Sequence, residues 1–196
     1  EDYQELMSII RQASPHDIVE VYLETEGGLL DVGLQLIDEL NRCPAQKYCY
    51  VSSGVASMGT MIVLGVEWDM MDISPLSTFH FHSVSYGSVG KHQDLVEKVA
   101  HTANLTGKLY ERFYKGILDD DQLKNITEHK GELSLLGDEV LELIKAKHQA
   151  MVEEANGLPD DSLEGAVIDV LDVMSAGLTY EEVMKLKKGE LQDLCL

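Results

Sequence analysis

The stretch Tyr48-Cys49-Tyr50-Val51-Ser52-Ser53-Gly54-Val55-Ala56-Ser57-Met58-Gly59 decides the fold. Its first six residues, centred on Tyr50 and Val51, read as a strand. A glycine follows, and small and apolar residues from about Ala56 to Val66 read as a helix. No charged residue occurs between Tyr48 and Val66. A membrane helix needs about 20 predominantly apolar residues, and the serines and glycines here fit a buried strand-turn-helix instead. Ser57 then stands at a strand-to-helix turn. Such a turn exposes a hydroxyl and sets the next backbone N–H, that of Met58, beside a substrate carbonyl.

Upstream, Val19-Glu20-Val21-Tyr22-Leu23 reads as a second strand running into Glu24-Thr25-Glu26-Gly27-Gly28. Leu29, Val32, Leu36, Ile37 and Leu40 recur at helical spacing directly afterwards, so Gly28 lies at a helix N-terminus, where unpaired N–H groups favour an oxyanion. Downstream, Thr78-Phe79-His80-Phe81-His82 reads as a third strand, and its two-residue period puts His80 and His82 on one face. Either could serve Ser57 as base. A serine is a weak nucleophile without a proton acceptor, and a third group must fix that histidine's tautomer.

Strands alternating with helices imply right-handed crossovers, hence an α/β fold with a parallel sheet and helices on its faces. An amphipathic helix carrying Leu6, Ile9, Ile10 and Ala13 opens the chain. From Lys91 to Leu118 the apolar spacing predicts a long helix, Asp119-Asp120-Asp121 starts another, and Gly137 to Ile144 forms one more. The tail reads as a helix from Lys147 to Ala155 and a break at Asn156-Gly157-Leu158-Pro159. An amphipathic run through Val167, Val170 and Leu171 follows, then a last helix opened by the capping pattern Thr179 to Glu182. Residues 1–145 are expected to form one domain and 146–196 a helical extension.

With 196 residues the chain is long enough to bury a sizeable core. A formal charge of −20 argues against a nucleic-acid or anionic-membrane partner, both of which favour basic patches. Three cysteines, Cys43, Cys49 and Cys195, lack paired-motif spacing and read as reduced thiols of a cytoplasmic protein. No basic and apolar signal pattern opens the chain. The glycine pair lacks the G-x-G-x-x-G and G-x-x-x-x-G-K-[ST] contexts of a nucleotide site, so no cofactor is expected. His80, His82, His129 and Glu132 are a conceivable zinc set. No strongly spaced third ligand follows the His-x-His pair, and no metal is expected.

Ala56-Ser57-Met58-Gly59, the pair Gly27-Gly28, and His82 at the end of its strand resemble the nucleophile motif, the oxyanion glycines and the base histidine of the ClpP family, the proteolytic subunits of Clp proteases. The serine-to-histidine interval of that family selects His82 over His80. Gly87, Gly90 and Asp94 fall where the family has a glycine-rich turn, a strand segment and the start of a long handle helix. The resemblance covers roughly residues 3 to 145. It implies the ClpP/crotonase-like fold and a serine endopeptidase with Ser57 as nucleophile, His82 as base, and the N–H groups of Gly28 and Met58 as oxyanion hole. Polypeptide substrate would lie extended along Gly87 to Gly90.

The family aspartate is replaced. The segment from Leu133 to Val140 aligns Glu132 with it, leaving His129 and Glu128 as substitutes. Glu26 stands where the family usually has proline, and Ser83-Val84 where it often has Gln-Pro after the histidine. The resemblance further implies a ring-shaped homo-oligomer, two stacked heptamers in the family form, with an ATPase unfoldase as partner. It also implies an upstream segment bearing a first strand and axial loops. The tail and the altered triad fit a divergent member of phage or prophage type, which could mature a capsid without an ATPase. Two other readings stand beside it: an assembly protein whose triad has decayed, and a crotonase-type acyl-CoA enzyme with a glycine oxyanion hole but no Ser-His pair.

Overall fold

The computed structural model describes residues 2–128 and 131–157. His129, the run through Val167, Val170 and Leu171, the Thr179 to Glu182 cap and Cys195 lie outside the described residues. The chain divides into two compact units, Glu1–Lys147 and His148–Leu196. The first carries every candidate site residue.

The described chain runs α1 (Asp2–Gln12), β1 (Ile18–Tyr22), α2 (Leu30–Arg42), β2 (Gln46–Val51), β3 (Gly54–Ala56), α3 (Met58–Gly65), β4 (Met70–Ile73), β5 (Thr78–His82), α4 (His92–Tyr114), α5 (Asp120–Glu128), β6 (Glu132–Leu136) and α6 (Gly137–Gly157). The α/β expectation holds, with one correction to the sheet. Among the described residues there are two three-stranded sheets, ordered β1-β2-β4 and β3-β5-β6. The first is parallel throughout, whereas β6 joins β5 antiparallel. Antiparallel pairing becomes possible there because the chain returns through α4 and α5 before β6 instead of making a single crossover.

The charge-free stretch contains an extra break. After β2 the chain steps at Ser52-Ser53 into β3, which changes sheets and pairs with β5, so the strand entering the Ser57 turn is Gly54–Ala56. In α3, Met58 through Val63 are all buried, as an all-round apolar helix must be. The long helix ends at Tyr114, four residues before the expected Leu118, because Gly116 adopts φ +80 and turns the chain. Conversely, the two helices read over 137–144 and 147–155 are one, ending at Gly157. Phe79 and Phe81 on β5 point into the core with Tyr114, Ile126 and Val140, while His80 and His82 take the opposite face by strand alternation.

Candidate active site

The backbone of Ser57 is the centre of the site. It has φ 54 and ψ −122, the only positive φ at a non-glycine residue among those described. Such a conformation costs on the order of 1–3 kcal/mol and persists only when its surroundings enforce it. Here the Ser57 N–H donates to the His80 carbonyl at 2.9 Å, and the Ser57 carbonyl accepts from the Thr60 hydroxyl at 2.7 Å. Thr60 is fully buried and its hydroxyl also bonds that of Tyr114 at 2.8 Å. The turn is therefore clamped from β5 on one side and from α4 on the other.

The glycine pair is brought to Ser57 by Thr25. Its N–H donates to the Gly54 carbonyl at 3.0 Å, its carbonyl accepts from Ala56 at 2.8 Å, and its hydroxyl accepts the Gly27 N–H at 3.0 Å. Gly27 consequently abuts Ser57. A Cβ there would fall 2.6 Å from Ser57 Cβ and 3.1 Å from Ser57 Oγ, and its φ is +99. Gly28 differs: a Cβ would meet nothing within 4 Å, so the space in front of it is open to a ligand. Leu29 caps α2, which puts Gly28 one residue outside that cap, at the positive end of the helix dipole. Met58 is the first residue of α3, and its N–H belongs to the set a helix leaves without an internal acceptor. Its side chain seats against Gly33 of α2, where an added Cβ would displace it.

The histidines behave differently from each other. His80 Nδ1 lies 2.9 Å from the Ser134 hydroxyl, and its Nε2 lies 3.8 Å from Glu132 Oε2. His82 Nδ1 donates to the Ser83 carbonyl at 2.6 Å. The two rings are 5.7 Å apart between centroids. In the ladder Glu132 sits directly opposite His82 and Ser134 opposite His80, yet the Glu132 carboxylate leans to His80 and its side chain is 71 % exposed. Glu128, at the end of α5, pairs instead with Lys124 at 4.0 Å. Ser57 Oγ makes no hydrogen bond to another described residue. Residues 83–89 form neither helix nor strand, so Gly87 lies in irregular chain and Gly90 in a bend before α4. The expected strand segment there does not form. Among the described residues, no three His, Cys, Asp or Glu side chains converge to hold a metal ion.

A family model for Clp protease matches residues 2–129. The chain belongs to the Clp protease family. The matched segment includes Ser57, both glycines, both histidines and the whole of α4. It stops before β6, so Glu132 falls beyond it. Membership makes this a Clp-type chain of a family that is generally of serine peptidases, assembles oligomeric rings and handles polypeptides. No described helix is long and apolar enough to cross a membrane.

Sequence reasoning picked out Ser57, His82 and the glycine pair but missed the residues that hold them: Gly27 as the contact, Thr25, Thr60 and Tyr114, and Tyr110, whose hydroxyl accepts the Val84 N–H at 2.6 Å just after His82. Thr25 had a signal, since a hydroxyl two residues before a backbone N–H makes a local turn. The tyrosines come from a helix more than fifty positions after Ser57, and no local pattern marks them.

Proposed function

We propose that this chain is a serine endopeptidase of the Clp type. Ser57 Oγ attacks the peptide carbonyl while His82 Nε2 takes its proton. The C–N bond then breaks as His82 gives that proton to the leaving amine, and water hydrolyses the acyl-enzyme by the reverse exchange. The N–H groups of Gly28 and Met58 hold the oxyanion, and loss of one such donor typically lowers the rate about 10² to 10³-fold. Glu132, across the ladder from His82, supplies negative charge to the histidine face. The observation that carries this reading is the enforced positive φ of Ser57 at a strand-to-helix turn with Gly27 pressed against it. An unbonded Ser57 hydroxyl is compatible with it, because catalytic hydrogen bonds are often long in the free enzyme and tighten with substrate.

Substrate is a polypeptide lying along 87–90, ordered as it binds. The assembly is a ring of copies, supported by the length of α4 that stands exposed, and an ATPase unfoldase is the expected partner. A cytoplasmic setting fits the free thiols of Cys43 and Cys49. The second reading, a decayed assembly protein, is favoured by the lean of Glu132 away from His82. A fluorophosphonate probe separates the two. Labelling that vanishes in Ser57→Ala and falls steeply in His82→Ala supports the peptidase; a folded, assembled protein that takes no label supports the assembly role.

A further inference from the structure

The Ser83–Val84 peptide group stands between His82 and α4. Its carbonyl accepts His82 Nδ1–H at 2.6 Å, and its N–H donates to the Tyr110 hydroxyl at 2.6 Å. In a trans peptide these two groups point in opposite directions from one rigid plane, so one peptide links the imidazole to the tyrosine. We propose that this peptide takes the orienting place of the missing triad aspartate, and that Tyr110 is a positioning residue for His82, acting through it. The inference rests on the reading of His82 as the base.

Three observations support it. The Nδ1–H bond commits the neutral ring to the tautomer whose Nε2 is free to accept a proton, which is the task of the third triad group. A hydrogen bond at the peptide N–H polarises its carbonyl and strengthens the bond at the other end. Tyr110 is itself fixed: 4 % exposed, stacked on Tyr114 with ring centroids 5.6 Å apart, in the turns that hold every buried residue of α4. The device also depends on the departure at Val84. A proline there, as the family often has, would offer no N–H to Tyr110. The other groups facing His82 are His80 on its own strand and Glu132 on β6, and the exposed Glu132 carboxylate reaches toward His80.

The test is the rate of fluorophosphonate labelling of Ser57 in the full chain, together with the ring ¹⁵N spectrum of His82 in histidine-labelled protein, assigned with His82→Gln. Tyr110→Phe and Val84→Pro each remove one end of the same bond. Each should slow labelling roughly 3- to 10-fold, the worth of one neutral hydrogen bond. The double variant should be no slower than the stronger single one, since both delete one interaction. In the spectrum, wild type should carry the Nδ1–H tautomer and Tyr110→Phe a mixture, a change that loosened packing without the link would not produce. Tyr114→Phe, which deletes a neighbouring hydroxyl, should leave the tautomer in place. Multiplying effects of the two single variants, an unchanged rate in Tyr110→Phe, or an Nε2–H tautomer in wild type would each overturn the proposal. If wild type takes no label, the peptidase reading fails on its own, and the tautomer measurement still decides whether Tyr110 orients His82.

Discussion

Replacing Gly27 by alanine would place a methyl carbon 2.6 Å from Ser57 Cβ on a residue with φ +99. The backbone penalty alone is about 1–2 kcal/mol, and a displacement of the nucleophile by about 1 Å costs on the order of 10²-fold in rate. Gly27→Ala should therefore lower the melting temperature and nearly abolish fluorophosphonate labelling. Gly28→Ala, whose methyl meets nothing within 4 Å and which carries only the backbone strain of φ +153, should lose less. Mass spectrometry of labelled protein and a thermal melt check both. Burial also pushes the Cys49 thiol up to about 12, so it holds almost no thiolate at neutral pH. Iodoacetamide should leave Cys49 unmodified in the folded protein and alkylate it once denatured. The Ser57 turn and the glycine pair beside it were legible in the sequence because each sits in a short local pattern. The tyrosines were not, because their roles arise from packing between distant segments.

At the scale of elements, α1 is fastened to α2 through Arg11 and Glu39, with Arg11 Nε donating to Glu39 Oε1 at 2.9 Å. The hydrogen bond from Arg11 holds the Glu39 carboxyl below its ordinary value of 4.5. A lowered folded-state value means the pair's contribution is fully present above pH about 4.5 and fades as pH falls through the folded value. Melting temperatures of wild type and Glu39→Gln should thus differ modestly at neutral pH and converge in acid. A gap that stays constant with pH would show that the pair contributes nothing electrostatic. Three strands were not read from the sequence, each for its own reason. β3 spans only Gly54–Ala56 and adjoins a helix whose apolar pattern it shares; β4 is four residues, Met70–Ile73; β6 runs without a break into the helix that starts at Gly137. The Thr78–His82 strand was legible to the residue, since its strict Phe/His alternation is the pattern of a half-buried strand.

The whole molecule carries a formal charge of −20, yet α4 projects apolar side chains into solvent, with Val96 49 % and Val99 52 % exposed. Only its C-terminal part, from Leu105 to Tyr114, reaches the core. A 23-residue helix with one end packed gains little from its own chain, so in the proposed ring its free half would be the contact between copies. Two forces then oppose each other: burial of that apolar stripe draws copies together, and like charge drives them apart. Raising ionic strength from 0.01 to 0.1 M shortens the screening length from about 30 Å to about 10 Å, which weakens the repulsion and leaves the apolar term intact. Association followed by sedimentation velocity should therefore strengthen with added salt. The paired change Val96→Glu and Val99→Glu, which adds charge where burial is needed, should leave the subunit folded and dissociated at every salt concentration. Weakening of assembly by salt would instead assign the contact to ion pairs and remove α4's apolar face from it.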